Sequence, residues 1–143
     1  RAIHHLSSGK ILMADRRLRR WFNEEQIKIM KEAVEDHRAS ASHAPRSIYG
    51  KIVAEADRDL EPEHIFRRTV QYGLTHYPEK CKEEHWERFL QHMDQKYSSH
   101  GYIRLWMTNS PNEKKLKEIR DALNNKDALR NTFERIFNEE NQE

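Results

Sequence analysis

Apolar residues recur along this chain at intervals of three and four, the spacing that places side chains on one face of an α-helix. One segment of the second half shows the pattern most clearly, at i, i+3, i+4, i+7 and i+11: Trp86, Phe89, Leu90, Met93 and Tyr97. Similar stripes run through most of the chain. The pattern predicts an all-α protein, a single helical domain of about six to seven helices.

Local signals predict where several of these helices begin and end. A first helix is expected from about His5 to Arg20. Asn23, with Gln26 three residues later, resembles a capping box and predicts a helix that runs to His37. Prolines suit the first turn of a helix, which predicts starts at Pro45, at Pro62 and after Ser110. A last helix follows, and the tail 138–143 is expected to fray. The segment 101–109 is the one stretch that predicts a short strand or an extended piece.

Composition narrows the class of protein. The 143 residues suffice for one domain. Charged residues make up 35% of the chain, yet the net charge is only +2, which gives no case for a nucleic-acid or membrane surface field. The basic cluster 16–20 precedes two glutamates, so ion pairing on a solvated face explains it. A single cysteine, Cys81, excludes an intrachain disulfide and fits a reducing, cytoplasmic location.

The richest candidate chemistry lies between Ala33 and Asp59. This stretch places an Asp-His-Arg sequence, ending in Arg38, after one helix and an Ala-Asp-Arg sequence, containing Asp57 and Arg58, at the end of the next. Histidine and aspartate together suit a divalent metal ion. Two simpler interpretations stay open: Asp57 and Arg58 also suit a helix-end ion pair, and His37 also suits the helix dipole. The chain has nine histidines, and most of those in the second half are expected to lie on the surface.

Two motifs resemble the His-Asp (HD) domain superfamily of metal-dependent phosphohydrolases. The sequence Lys51–Arg58 (KIVAEADR) is similar to the family's closing phrase, and His4-His5 followed by Ser7 is similar to a His-His motif of a small bacterial branch. His37 matches a further histidine about twenty positions before the closing phrase. The resemblance covers roughly residues 1–60. It implies that residues 1–60 form the C-terminal half of an HD-like core and that residues 61–143 form an accessory helical region.

The resemblance also implies roles for individual residues. Metal ligands would be Asp57, His4 and His5, holding a divalent ion that the sequence does not distinguish among Mn, Mg, Fe, Zn, Ni and Co. Catalytic roles would fall to three residues: His37, Arg58 and Lys51. Arg38 would contact the substrate phosphate. The implied reaction is hydrolysis of a phosphomonoester or phosphodiester. The resemblance extends to a small, nucleotide-like substrate, and a homo-oligomer is compatible with it.

One feature of the family has no counterpart in these 143 residues. The chain contains no His-Asp dipeptide, because Asp36-His37 has the reverse order. The family's early His and His-Asp pair belong upstream of His4, so we expect helices carrying them before Arg1. The alternative is a non-catalytic helical interaction or regulatory module, which the aromatic residues of the second half favour: Trp86, Phe89, Tyr97, Tyr102, Trp106, Phe133 and Phe137.

Overall fold

A computed structural model describes residues 4–41 and 43–141 of the chain. Within these ranges the regular structure consists of seven α-helices and one 3₁₀ helix, without a strand. The helices are α1 (His4–Ala14), the 3₁₀ helix (Arg16–Arg20), α2 (Glu24–Asp36), α3 (Ile48–Ala56), α4 (Pro62–His76), α5 (Lys82–Tyr97), α6 (Pro111–Asn124) and α7 (Lys126–Glu140). The prediction of an all-α protein with six to seven helices is therefore confirmed. No helix in the described ranges combines the length and the apolar character that crossing a membrane requires.

The chain divides into two compact units. Unit 1 contains residues 1–58 together with 104–109, and unit 2 contains 59–103 together with 110–143. The sequence-based division after residue 60 lies close to this boundary. The return of 104–109 to unit 1 was not predicted.

Several helix ends lie where local chemistry predicts them. The Asn23 side chain accepts a hydrogen bond from the Gln26 amide at 2.9 Å, and the Gln26 side chain accepts one from the Asn23 amide at 3.0 Å. This reciprocal pair is a complete capping box at the start of α2. Pro62 and Pro111 stand in the first turns of α4 and α6, where the missing amide hydrogen costs nothing.

Other predicted boundaries are wrong, each for a local reason. The first helix ends at Ala14, because the Asp15 carboxylate accepts from the Arg17 amide at 2.9 Å and starts a separate 3₁₀ helix. Pro45 precedes α3 instead of opening it, since the Ser47 hydroxyl caps that helix by accepting from the Gly50 amide at 3.1 Å. The segment 101–109 contains no strand, and α7 continues to Glu140. Residues 142 and 143 of the predicted frayed tail lie outside the described residues.

Unit 1 is built around α2, which packs against both α1 and α3. Two glycines permit these close approaches. A side chain at Gly9 of α1 would come within 2.8 Å of the Glu35 carboxylate, and one at Gly50 of α3 would come within 3.0 Å of Pro45. The contact of α1 with α2 brings the first turn of α1 to the end of α2, where His37 follows.

Unit 2 has the larger apolar core. Helices α4 to α7 bury aromatic and aliphatic side chains against one another, among them Phe66, Val70, Phe89, Met93, Ile119, Leu129, Phe133 and Ile136. The Phe133 ring lies 5.4 Å from Phe89 and 5.1 Å from Trp86, centroid to centroid. Most aromatic residues of the second half thus pack in this core. The argument that they provide an exposed interaction surface does not fit this packing.

The buried His85 of α5 predicts acid sensitivity in unit 2. Its side chain is 3% exposed, and burial, followed by the positive charge of Arg88, lowers the pKa of His85 below its ordinary value of 6.5. Burial lowers the pKa of His92 in the same way. Because the unfolded chain then takes up protons before the folded chain does, stability falls as the pH drops below about 6.5. We expect a smaller free energy of unfolding at about pH 5.5 than at about pH 7.5 in urea titrations.

Variants test the origin of this pH dependence. Replacing His85 with leucine removes one of the groups that resist protonation, so the pH dependence becomes shallower. Replacing Gln91, an exposed residue of the same helix that does not titrate, with leucine leaves the pH dependence as in the unchanged protein. An unaltered pH dependence in the His85→Leu variant would show that burial of this imidazole is not the cause.

Candidate functional site

Three histidines from two distant segments come together at one end of unit 1. His4 and His5 occupy the first turn of α1, and His37 follows the last turn of α2. The Nε2 atoms of His4 and His37 lie 3.3 Å apart, within hydrogen-bond distance. The ring centroids are 5.3 Å apart for His4 and His37 and 5.7 Å apart for His4 and His5. The packing of α1 on α2 thus unites imidazoles separated by 33 positions in sequence.

The backbone fixes the orientation of the His37 ring. Its Nδ1 lies 2.5 Å from the carbonyl oxygen of Val34, one turn back on α2. A carbonyl oxygen only accepts hydrogen bonds, so Nδ1 carries the proton in this contact. Nε2 of neutral His37 is then an acceptor, and we assign the proton between the two rings to Nε2 of His4. His37 is therefore held with its Nε2 lone pair accepting a hydrogen bond from a second imidazole.

His5 lies deeper than His4 in the same cluster. Its Nδ1 is buried and has no hydrogen-bond partner among the described residues. Burial lowers the pKa of His5, and the positive charge of Arg38 and the neighbouring His4 lower it further. The neutral imidazole is thus favoured at this position.

A polar cavity of about 690 Å³ adjoins His5. The loop that follows α2 forms one wall, to which Arg38, Ser40 and His43 contribute, and Glu35 of α2 also lines it. Arg38 is half-buried and lines the same cavity as His5. The carboxylates of Glu35 and Asp36 also line the cavity, and both pair with Arg46. The guanidinium of Arg38, with imidazole and hydroxyl groups beside it, is therefore the group that suits an anion here.

A buried ion pair anchors this loop to α2. Asp36 is 3% exposed, and its carboxylate accepts hydrogen bonds from the Arg46 amide at 2.8 Å and from the Arg46 guanidinium at 2.8 Å. Burial opposes ionisation of Asp36, but the hydrogen bonds from Arg46 outweigh it, and the pKa of Asp36 is lowered. Arg46 also binds the Glu35 carboxylate at 3.0 Å. Both ends of the loop that carries Arg38 are therefore held in place.

Asp57 is not in contact with the histidine cluster. It caps the C-terminus of α3, its side chain is exposed, and the described residues bring no imidazole into hydrogen-bond or ion-pair contact with its carboxylate. Lys51 lies on α3, half-buried. Of the residues that the sequence singles out, the structure thus unites His4, His5, His37 and Arg38, and it leaves Asp57 apart from them.

Arg58 is a buried structural residue in this geometry. It is 8% exposed, and its guanidinium donates to three backbone carbonyl groups: Ala54 of α3, Arg104 at 3.0 Å, and His37 in a long contact of 3.5 Å. Buried Glu55 accepts a hydrogen bond from the Trp106 amide at 3.0 Å. Together Glu55 and Arg58 tie the segment 104–109 to the end of α3.

The donors present do not form a metal site by themselves. Within 4–41 and 43–141, no group of three or more His, Cys, Asp or Glu side chains is arranged to hold a metal ion. A divalent ion in a protein takes four or more ligands. Asp57, His4 and His5 alone therefore do not fit a bound metal ion in this arrangement.

Sequence reasoning missed three contributors to the site. Asp36 and Arg46 fix the loop that carries Arg38, and the segment 104–109 joins unit 1 from beyond α5. Asp36 had a readable signal, since a carboxylate on the core side of α2 needs a cationic partner. The return of 104–109 had none, because it depends on two backbone hydrogen bonds to distant side chains.

Comparison with known proteins yields no relative. No protein-family model, no curated protein and no solved structure matches this chain.

Proposed function

We propose that this chain carries part of the catalytic site of a metal-dependent phosphohydrolase of the HD superfamily, acting on a small phosphomonoester or phosphodiester. The observation that carries the proposal is the contact between His4 and His37, with Nε2 atoms 3.3 Å apart. Two motifs selected for their resemblance to that superfamily, far apart in sequence, meet in space. A nucleotide-like substrate is part of the same proposal and rests on the resemblance alone.

In this proposal His37 transfers a proton. Its Nδ1–H group is bound to the Val34 carbonyl oxygen, which leaves Nε2 to take a proton from an attacking water or to return one to a leaving oxygen. Between turnovers the Nε2–H group of His4 donates a hydrogen bond to that same nitrogen. In this proposal the hydrogen bond opens when Nε2 of His37 takes the proton. Imidazole is the side chain that most often exchanges protons in enzymes working close to neutral pH.

Arg38 is the proposed phosphate contact. It lines the polar cavity beside His5, and a guanidinium binds phosphoryl oxygens through two parallel hydrogen bonds. Lys51 is a second candidate for stabilising negative charge. Arg58 has its guanidinium on backbone carbonyl groups, so its role in the proposal is to position the segment around His37.

The metal ion belongs to the proposal as an expectation. The resemblance implies Asp57, His4 and His5 as donors. The described residues show no contact of the Asp57 carboxylate with these histidines, so the proposal requires further donors from outside the described residues and a closer approach of Asp57. We assign no step of the reaction to the ion. Bound to such a site, a divalent metal would supply an activated water and polarise a phosphoryl oxygen.

Metal content and hydrolysis test the proposal together. We expect the purified full-length protein to retain a divalent metal ion by mass spectrometry and to hydrolyse p-nitrophenyl phosphate or its bis ester until a chelator is added. Replacing Asp57 with alanine should lower both metal content and activity, since the ion loses a carboxylate. Asp121 of α6 is exposed in unit 2, and the Asp121→Ala variant should keep both. The proposal would be rejected if the Asp57→Ala variant kept its metal and its full turnover. It would also be rejected if the unchanged full-length protein contained no metal and hydrolysed neither ester.

A further inference from the structure

Unit 1 exposes more large apolar side chains than it fully buries. Its buried aliphatic side chains are Ile27, Ala33 and Ala54, two of which are alanines. Eight large apolar side chains of the same unit are exposed: Leu6, Ile11, Trp21, Phe22, Ile48, Tyr49, Ile52 and Val53. Patches of this kind on a folded protein mark interaction sites.

Part of this surface forms an apolar groove of about 470 Å³. Its floor is a stripe along α2 with the spacing of one helix face: Gln26, Ile29, Met30, Ala33 and Val34. From position 26 to position 34 the stripe is about 12 Å long, or two turns. Gln26 is its one polar member, so the floor offers no charge to a ligand.

Neighbouring elements form the walls of the groove. Leu12 of α1 lines the groove, and so do Tyr49 and Val53 of α3. Phe22, which lies just before α2, is also a lining residue. Because α1 and α3 both pack on α2, the groove runs along three helices of one unit. An apolar stripe two helical turns long, with apolar side chains of two neighbouring helices beside it, suits the apolar face of a further helix laid along α2.

A basic cluster, Arg16–Arg20, lies close in sequence to one of the residues that line the groove. The 3₁₀ helix Arg16–Arg20 ends two residues before Phe22. Arg17 pairs with Asp15 and Arg19 pairs with Glu24, whereas the described residues offer Arg16 and Arg20 no carboxylate at ion-pair distance. The cluster therefore carries two uncompensated positive charges beside an apolar floor.

We infer that the apolar groove binds an acidic amphipathic α-helix from a polypeptide segment outside these 143 residues. Its apolar stripe covers the α2 stripe, and its acidic residues meet Arg16 and Arg20. A second copy of this chain fits less well, because it would bring another uncompensated basic cluster to a basic surface. The inference does not depend on the phosphohydrolase proposal, since the groove contains none of the candidate site residues.

A synthetic helical peptide tests this inference by isothermal titration calorimetry. The probe carries leucines along one face and three glutamates at one end, and a second peptide with lysines in place of the glutamates is the control. We expect the acidic peptide to bind with a micromolar dissociation constant that weakens with added salt. Equal binding of both peptides, or no binding of the acidic one, would overturn the inference.

Substitutions at exposed positions locate the binding surface without disturbing the core. Replacing Tyr49, which is 58% exposed, with glutamate should weaken binding by about tenfold or more, because a charge enters the apolar contact. Arg16→Glu together with Arg20→Glu should weaken binding by a similar factor and reduce its salt dependence. Tyr102→Glu, at an exposed position of unit 2, is the matched control and should bind as the unchanged protein does.

Oligomeric state decides between the two occupants. Light scattering over a range of concentrations should report a monomer if the groove binds an acidic helix from outside these 143 residues and not a second copy of the chain. A concentration-dependent dimer that Tyr49→Glu abolishes would show that a second copy occupies the groove, and it would overturn the inference.

Discussion

Replacing His37 with alanine is expected to lower phosphoester hydrolysis by about 10²–10⁴-fold, the range that general acid–base catalysis contributes. The physical reason is the fixed geometry of the ring. The Val34 carbonyl oxygen holds Nδ1, so Nε2 is presented as the proton-transferring atom, and alanine removes it. Steady-state kinetics with p-nitrophenyl phosphate measure the loss, and a thermal melt shows whether the variant is folded.

Chemical rescue separates proton transfer from a merely structural role of His37. Free imidazole should restore part of the activity of His37→Ala, because it can occupy the space of the missing ring next to His4. His76, an exposed histidine of α4, provides the control, and His76→Ala should keep its activity. A folded His37→Ala variant with undiminished turnover would contradict the assigned role.

Replacing Phe133 with alanine is expected to destabilise unit 2 by about 3–5 kcal/mol, the usual cost of removing a buried phenyl ring. Phe133 is fully buried, and its ring contacts those of Trp86, Phe89 and Phe137 at centroid distances of 5.1, 5.4 and 5.6 Å. The substitution therefore leaves a cavity at the meeting point of α5 and α7. A core of interlocking rings cannot close around such a void without losing its edge contacts.

The fluorescence of Trp86 reports this change during urea unfolding. A background with Trp21→Phe and Trp106→Phe removes the two tryptophans of unit 1, so the signal comes from unit 2. Tyr102→Ala is the control, because this half-exposed side chain should cost about 1 kcal/mol or less. A Phe133→Ala midpoint equal to that of Tyr102→Ala would show that the aromatic cluster does not hold unit 2 together.

The features that sequence predicted correctly are those that neighbouring residues determine. The capping box of Asn23 and Gln26 spans four positions, and the prolines at 62 and 111 act on their own turns. Pro45 shows the limit of such signals. Proline is tolerated in the first turn of a helix and equally in the extended residues that precede a helix. Here Ser47 caps α3, so Pro45 lies in the extended segment before it.

Contacts between distant residues were only partly predictable. The roles implied by the resemblance require Asp57, His37 and the His4-His5 pair to converge. The structure brings His4 and His37 into contact, and within the described residues it shows no contact between either of them and Asp57. The position of Asp57 was not predictable in the same way. A residue at the C-terminus of a short helix turns inward or outward according to the last few backbone angles, and here the neighbouring Glu55 and Arg58 are the buried residues.

The segment 104–109 has a consequence for any attempt to dissect this protein into parts. Cutting the gene after Arg58 would produce a polypeptide that ends at the boundary between the two units. That polypeptide would lack the amide of Trp106, which donates to buried Glu55, and the carbonyl group of Arg104, which accepts from buried Arg58. Loss of these two hydrogen bonds to buried charged groups would destabilise unit 1. Truncation libraries should therefore keep a discontinuous module, in which a linker replaces residues 59–103 and rejoins the chain at Arg104.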